Sequence, residues 1–413
     1  QLPGGESAVA GLTIFNQLLW FIDSINALIG AGSVAVIAHY YGEKDYGSCE
    51  KSIRQTFMLK IIVGVIFAGI ALMFIGQIID LLGARAGTYD IAVEYGSIML
   101  WGTPLIFVAF SIFTALRGIA NPKLAMTIML ASTAFNMILD PLLIFGYAGF
   151  PALGVAGAAI ASVITYSLVV LVGVLYLIGK RCNVQIHLFK TGWFDTEIIK
   201  RIIRVGTPSW IGQGAWSSSM ILLTPMVAAY GDKVMSAYGI SLQVVVFGLM
   251  IVVGAGLGLS SLIGHNIGAN KLKRAKITAD RAIILSAVIM TLIAIVAFIF
   301  AKTFAGFYFT DAESKRRIVE ALRIFCIGMP FWGLLVMMEA VYMGVGRNKP
   351  AMVANVVRGW GLRVPLFFLL TQWFSVEPRI LWYAVALPDI LVVSVFWVYY
   401  RKGRWLDAKL AWR

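Results

Sequence analysis

The sequence predicts an all-α integral membrane protein with two pseudo-symmetric six-helix lobes, of which eleven transmembrane helices are present in this chain. Of the 413 residues, 60% are hydrophobic and only 13% are charged, which is too apolar for a large soluble enzyme. Runs long enough to cross a bilayer recur along the chain, since a helical span needs about 20 residues. The two halves of the chain also repeat each other.

The spans are apolar runs separated by charged residues and by Gly/Pro turns. They cover 11–39, 53–79, 92–118, 123–147, 155–179, 206–230, 237–264, 282–306, 320–344, 351–374 and 380–400. Basic residues concentrate in alternate links, such as 180–204 and 271–281, and in the tail 401–413. The positive-inside rule therefore predicts a multi-pass protein of the plasma (inner) membrane with a cytosolic C-terminus. The net charge of +14 then reflects topology, and no nucleic-acid partner is expected.

Matching residues in the two halves of the chain show the repeat. They lie 226 residues apart, and the separation is 224 after a two-residue difference near Arg347. The pairs are His39 and His265, Gly42 and Gly268, Pro104 and Pro330, Gly118 and Gly344, and Pro141 and Pro365. Both members of each pair have the same orientation, so the duplication is parallel, about an axis along the membrane normal. The partner of span 206–230 would precede Gln1, so we expect the intact protein to have a twelfth helix upstream.

The repeat divides the chain into an N-terminal lobe at 1–180, a linker at 181–204 and a C-terminal lobe at 205–413. Isoleucines at helical spacing around Ile198 and Ile202 face away from Lys200 and Arg204. This pattern favours an amphipathic helix on the inner leaflet, and a plain cytosolic connector is the alternative. No Walker A, HExxH or CxxC motif is present. The sequence therefore predicts neither an ATP-driven pump nor a metal centre.

Two polar residues lie inside the apolar run 123–147. Asn136 and Asp140 are four residues apart, so on a helix they share one face. An aspartate at the bilayer centre costs about 2.5 to 3.5 kcal/mol to insert and is a functional hypothesis by default. Pro141 cannot donate to the carbonyl of Met137, which stays free. These oxygens suit a hard monovalent cation or a proton, and a structural aspartate bonded to a neighbouring helix is the alternative.

Four short motifs occur along the chain: Gly30-Ala-Gly-Ser, Tyr41-Gly42-Glu43, Arg117-Gly118-Ile-Ala-Asn121-Pro122 and Asn136-Met-Ile-Leu-Asp-Pro141-Leu-Leu-Ile-Phe-Gly146. Together they resemble the multidrug and toxic-compound extrusion (MATE) transporters, and the last is most similar to the DinF-like branch. The resemblance covers essentially the whole chain. It implies two lobes that form a V, and an inward flow of Na⁺ or H⁺ that drives export of bulky, often cationic drugs.

The resemblance also implies a cation-coupling site. In the DinF-like branch this site uses the residues that match Asn136 and Asp140. It also uses an aspartate of the first helix, which would lie upstream of Gln1. A hydroxyl of the sixth helix completes the site, and the candidates for it are Ser162 and Thr165. The NorM-like branch instead places an acidic residue in the seventh helix. Here that helix has Gln213, hydroxyls and no carboxylate, which argues against such a site.

Other charged residues fall inside predicted spans. Asp23 lies near the middle of its span and is either part of the coupling site or structural. Lys60 is expected to snorkel to the nearby cytosolic surface. The depths of four further residues match in pairs, which predicts interhelical ion pairs. These pairs are Glu339 with Arg358 and Arg363 with Asp389. The rival interpretation is that Glu339 or Asp389 faces the cavity and meets cationic substrates.

Soft and aromatic side chains favour promiscuous binding of flat cations, although most are expected to pack or to face lipid. The candidates for the substrate cavity are Trp210, Gln213, Trp216 and Met220. Prolines inside spans are expected either to kink their helices or to act as hinges in alternating access. The candidate hinges are Pro104, Pro141, Pro330 and Pro365.

These observations predict a secondary active antiporter that exports bulky, cationic drugs or metabolites and exchanges them for Na⁺ or H⁺. It is expected to work as a monomer in a lipid bilayer, with a small-molecule substrate and no cofactor beyond the coupling ion. The alternatives are a flippase of lipid-linked oligosaccharides, which a cavity lined by unpaired arginines would favour, and an integral-membrane enzyme. No cluster of catalytic acids or histidines supports the enzyme.

Overall fold

A computed structural model describes residues 5–81, 86–179, 184, 186–187, 194–372 and 377–406, and only the backbone at 5–14, 16–23, 81, 86–87 and 232. The described part of the chain is helical and contains no β-strand. It divides into two compact units, Gln1–Gly206 and Thr207–Arg413. The all-α membrane fold predicted from the composition is thus present.

Unit 1 is built from helices that follow one another along the chain. They are α1 (Gly5–Glu43), α2 (Tyr46–Met73), α3 (Ile75–Leu81), α4 (Ala86–Gly118), α5 (Pro122–Phe145) and α6 (Gly154–Ile178), with a 3₁₀ turn at Tyr147–Gly149. Helix α7 (Thr196–Ala228) begins in unit 1 and ends in unit 2. Asp45 caps α2 by accepting a hydrogen bond from the Ser48 N–H at 3.0 Å. The bonds from Ser48 hold the pKa of that carboxyl below its usual range.

Unit 2 repeats this helical plan. Its helices are α8 (Asp232–Gly268), α9 (Leu272–Ile299), α10 (Ala301–Tyr308), α11 (Ala312–Val345), α12 (Lys349–Val356), α13 (Val364–Gln372) and α14 (Pro378–Arg401). A π-helix, Val357–Arg363, joins α12 to α13, and a 3₁₀ turn follows at Arg404–Leu406. Asp311 caps α11 through the Ser314 N–H at 2.9 Å.

One long helix forms the centre of each unit. In unit 1, α4 packs against α1, α2 and α6, and in unit 2, α11 packs against α8, α9 and α14. These two helices carry Pro104 and Pro330, which the sequence repeat pairs. The repeat read from the sequence therefore corresponds to the same central position in both units.

Ten helices of the described part are long and apolar enough to cross a membrane. The remaining predicted span, 206–230, lies in α7, which runs without a break from Thr196. The described end of the predicted linker, from Thr196 to Arg204, is therefore the first part of α7 and continuous with the predicted span. Its other residues, 181–193, lie mostly outside the described part of the chain.

Close approach of α1 and α7 explains why this segment is not a free surface helix. A Cβ on Gly32 would overlap the carbonyl oxygen of Ile202, and one on Gly206 would overlap that of Leu28. The Arg201 guanidinium also donates to the Tyr40 hydroxyl at 2.7 Å. Arg201 is thereby held against α1.

Lys60 differs from its expected position. Its side chain is only 1% exposed, so it does not snorkel to the surface. It lies close to Gly30 of α1 and to Arg117 of α4, because these two helices and α2 pack on one another. The hydropathy pattern gives the depth of the residue, but the helix face on which it lies depends on packing.

Candidate functional site

The candidate cation site lies on α5, whose limits follow from local sequence. Asn121 caps the helix by accepting a hydrogen bond from the Leu124 N–H, Pro122 occupies the first turn, and Gly146 ends the helix at a φ of 75°. Proline at the start and a left-handed glycine at the end are the usual signals for these positions. The caps leave Asn136 and Asp140 within the regular part of the helix.

Asn136 and Asp140 contact each other directly. The Asn136 Nδ2 donates a hydrogen bond to the Asp140 Oδ1 over 3.2 Å, as expected for residues one turn apart. Both side chains are half-buried. Helix α5 continues through Pro141, and Pro141 has no N–H for the carbonyl of Met137.

Helix α6 is held tightly against the end of α5. A Cβ on Gly157 would lie 2.5 Å from the Leu143 carbonyl oxygen, and the Leu153 N–H donates to that same oxygen at 2.9 Å. Glycine at 157 is therefore required for the two helices to pack at this distance. This packing determines where the polar residues of α6 lie relative to α5.

The polar residues of α6 include an unsatisfied hydroxyl. Thr165 is 6% exposed, and its Oγ1 has no hydrogen-bond partner in the described part of the chain. Ser162 lies one turn earlier and is half-buried. On α4, Tyr95 is close enough to Asp140 for their charges to interact. The side chain of Asp23 lies outside the described residues.

This arrangement offers hard oxygen ligands without a cationic partner. No salt bridge to Asp140 occurs among the described side chains, whereas the carboxylate of Asp389 in unit 2 has two. Asn136 uses its nitrogen toward Asp140, so its carboxamide oxygen remains available as an acceptor. Carboxylate, carboxamide and hydroxyl oxygens are the groups that hard cations prefer. Protonation of the Asp140 carboxyl would also remove the charge that is costly at this depth.

The charged residues of unit 2 form a buried network. The Arg363 Nη2 donates to both oxygens of Asp389 at 2.7 Å, which is the pair expected from their equal depths. Arg358 contacts the same carboxylate, with 3.3 Å between Nη1 and Oδ1. Asp389 is 0% exposed and therefore does not line an open cavity.

The predicted pairing of Glu339 with Arg358 is wrong in its geometry. Asn355 lies between them, because its Nδ2 donates to Glu339 and its Oδ1 accepts from Arg358 Nη2 at 2.9 Å. No direct Glu339–Arg358 salt bridge occurs within the described residues. Glu339 is half-buried, whereas Asp389 is fully buried.

The π-helix explains why both arginines reach Asp389. In an α-helix, residues five apart point about 140° away from each other, so Arg358 and Arg363 would lie on different faces. A π-helix joins residue i to i+5, and the five-residue spacing then brings both onto nearly the same face. Pro365 follows directly and cannot donate to the carbonyl of Gly361, which favours an irregular turn there.

The cavity candidates in α7 differ in their exposure. Trp210 and Gln213 are exposed, and Trp216 is half-buried. Met220 accepts a hydrogen bond from the Tyr238 hydroxyl at 3.6 Å and so packs within unit 2. The candidate hinges Pro104, Pro141 and Pro330 all lie inside continuous helices, and Pro365 lies in the first turn of α13.

Two residues of these sites were not found from the sequence. Tyr95 lies within electrostatic range of Asp140, and Asn355 bridges Glu339 and Arg358. Neither has a distinguishing pattern in the sequence, since tyrosine and asparagine are ordinary at helix positions. A polar residue three positions before Arg358 could have been noticed as a helical neighbour.

Comparison with known proteins places the chain in a family. The MatE family model matches residues 1–142 and 208–369. The chain is 28% identical to a probable multidrug resistance protein, YoeA, of Bacillus subtilis (strain 168), over 96% of this chain and 85% of that protein. It is 25% identical to the multidrug export protein MepA of Staphylococcus aureus (strain MSSA476), over 95% and 85%.

Solved structures support the same assignment at the level of the fold. A MATE protein crystallised in the bent conformation matches with a TM-score of 0.90 at 22% identity, covering 98% of this chain and 89% of that one. An outward-facing multidrug resistance MATE family transporter of the MOP superfamily matches with a TM-score of 0.89 at 23% identity, with the same coverage. The chain is therefore a multi-pass membrane protein that belongs to the MATE family of multidrug transporters.

Proposed function

We propose that the protein is a secondary active exporter that exchanges bulky cationic drugs or metabolites for Na⁺ or H⁺. The observation that carries this proposal is the hydrogen-bonded pair of Asn136 and Asp140, whose carboxylate forms no ion pair within the described part of the chain. The names of the bacterial relatives, a multidrug resistance protein and a multidrug export protein, agree with export of drugs.

Coupling follows from differential binding at this site. A cation or proton on Asp140 neutralises a charge that is costly to keep in the membrane. The conformation in which Asp140 is loaded is thereby stabilised, and the ion gradient drives the cycle because ion and substrate favour different states. The protein then needs no catalytic group, and its role is transport rather than enzymatic turnover.

The flippase alternative requires free arginines along a cavity. The two buried arginines of unit 2, Arg358 and Arg363, both contact the carboxylate of Asp389. They are therefore engaged in an internal network and do not supply such a surface. Drug export is the better supported function.

The test is efflux from proteoliposomes under an imposed Na⁺ gradient or pH gradient, using the full-length protein. One of the two gradients is expected to drive efflux of a fluorescent organic cation. Asp140→Asn is expected to abolish that efflux, because the amide keeps the shape but cannot carry the charge. Asp80→Asn, which changes an exposed carboxylate of the same unit, should transport normally. Efflux that neither gradient drives would contradict the proposal.

A further inference from the structure

A groove opens on the surface of unit 2 between α9, α11 and α14. Its volume is about 620 Å³, which lies in the range of roughly 300–1,000 Å³ seen for small-ligand sites. It is lined by Ile284, Ala287, Val288, Thr291, Leu292, Phe331, Leu334, Val393, Ser394, Trp397 and Val398. The lining is apolar apart from two hydroxyls, so the groove suits a hydrocarbon chain.

Helix α9 forms one wall of the groove, and Arg281 lies near the end of that wall. Ile284, Val288 and Leu292 lie at four-residue spacing and form one face of α9. Arg281 lies one turn before Ile284, on the same side and toward the start of the helix. The distance along the helix from Arg281 to Leu292 is about 16 Å. A ligand lying along this face would therefore have its apolar part in the groove and one end beside Arg281.

The opposite wall ends in a second positive charge. The Arg401 guanidinium lies 5.9 Å from the centre of the Trp397 ring, a distance at which cation–π attraction holds it. Trp397 itself lines the groove. Arg401 therefore lies beside the wall of the groove that Trp397 forms.

A hydrogen bond brings these two charges to the same end. The Tyr400 hydroxyl donates to the Asp280 Oδ1 at 2.8 Å, which joins the end of α14 to the first turns of α9. Arg401 follows Tyr400 on α14, and Arg281 follows Asp280 on α9. Both arginine side chains are exposed. The apolar groove therefore ends at a pair of exposed guanidinium groups.

We propose that this groove binds an anionic phospholipid, with an acyl chain between α9 and α14 and its phosphate between Arg281 and Arg401. Two arginines at one end match a negatively charged head group, which they can hold by charge-assisted hydrogen bonds. A cationic drug would be repelled by the same pair. Anionic lipids are also concentrated at the membrane surface where basic residues gather.

The test is native mass spectrometry of the full-length protein from micelles that contain equal amounts of phosphatidylglycerol and phosphatidylcholine with identical oleoyl chains. Two variants separate the parts of the site. Arg281→Gln/Arg401→Gln removes the charges, and Ala287→Trp fills the groove. Matched controls are Lys51→Gln/Lys123→Gln, which removes two exposed charges of unit 1, and Ala131→Trp at an exposed position of α5.

The wild-type protein and both controls should retain one phosphatidylglycerol with at least tenfold preference over phosphatidylcholine. The charge variant should lose that preference, and Ala287→Trp should retain neither lipid. An unchanged preference in the charge variant, or unchanged retention in Ala287→Trp, would overturn the proposal. If the protein binds tetraphenylphosphonium and Ala287→Trp removes that binding while the charge variant does not, the groove is a drug site. That result would also overturn the proposal.

Discussion

Asp140 differs from the other buried carboxylates in how its charge is balanced. Asp389 is held by two arginines, and Asn355 links Glu339 to Arg358, whereas Asp140 accepts a hydrogen bond from Asn136 and forms no salt bridge within the described residues. A charge at membrane depth is costly unless a counter-charge is present. An added cation or proton would therefore stabilise Asp140 by neutralising its charge.

Thr165 provides a prediction that separates binding from stability. Thr165→Val removes a buried hydroxyl that has no partner, so the thermal unfolding midpoint should stay the same or rise. If the hydroxyl is an ion ligand, the coupling-ion concentration for half-maximal efflux should rise about tenfold, a loss of about 1.4 kcal/mol. Thr165→Ser should retain the wild-type value. Unchanged ion dependence in the valine variant would remove Thr165 from the site.

At the scale of helices, the position of α6 against α5 depends on one glycine. Gly157→Ala would place a methyl group 2.5 Å from the Leu143 carbonyl oxygen, so the helices must separate. We expect the free energy of unfolding to fall by about 1–3 kcal/mol, as in other overpacked sites, and efflux to fall with it. The measurement is denaturant unfolding in detergent together with proteoliposome efflux.

The matched control for this substitution is Gly69→Ala. A Cβ at Gly69 meets nothing within 4 Å, and alanine is the better helix former by about 0.5–1 kcal/mol. The stability of this variant should be unchanged or higher. If both variants behave alike, the close approach of α5 and α6 does not position the site.

The buried network of unit 2 predicts a large effect of removing its acid. Asp389→Leu leaves two arginines without their counter-charge and should lower the free energy of unfolding by about 3–5 kcal/mol. Adding Arg363→Met should recover part of this loss. Glu320→Leu is the control, because its partner Arg316 is exposed and 3.9 Å away, and it should cost less than about 1 kcal/mol. Equal losses would show that Asp389 is not structural.

These elements show what sequence patterns can and cannot predict. The pairing of Asn136 with Asp140 follows from a four-residue spacing on a regular helix, and that of Arg363 with Asp389 from equal depth. Hydropathy indicates depth alone and leaves the helix face undetermined. The expected surface position of Lys60 is wrong for this reason. The π-helix changes the relative directions of Arg358 and Arg363, and the hydrophobic pattern of the sequence does not indicate this change. Arg358 therefore contacts Asp389, which the sequence did not predict.

At the scale of the whole molecule, the repeat leaves one chemical asymmetry. Pro141 and Pro365 occupy equivalent positions, but only the second follows a π-helix. In α5 the residue before the proline is Asp140, whereas Val364 precedes Pro365. The first unit therefore has a carboxylate that forms no ion pair among the described residues, whereas Asp389 of the second unit is paired with two arginines.

The orientation in the membrane is a prediction that labelling can test. In a protein with Cys49, Cys182 and Cys326 replaced by alanine, Arg316→Cys should react with an impermeant maleimide in intact cells. Lys402→Cys should react only after the cells are opened, because the excess of basic residues in the alternate links and in the tail predicts that this side faces the cytosol. The reverse pattern would show that the C-terminus lies outside.

The most direct test of the account compares substrate binding with ion-driven transport in Asp140→Asn. Binding of a fluorescent organic cation to the purified protein should change less than about threefold, roughly 0.65 kcal/mol, because the substitution keeps the side-chain shape. In proteoliposomes at matched protein content, the ion gradient that drives efflux by the wild-type protein should no longer do so. Gradient-driven efflux at the wild-type rate in this variant would contradict the assignment of Asp140 as the coupling residue.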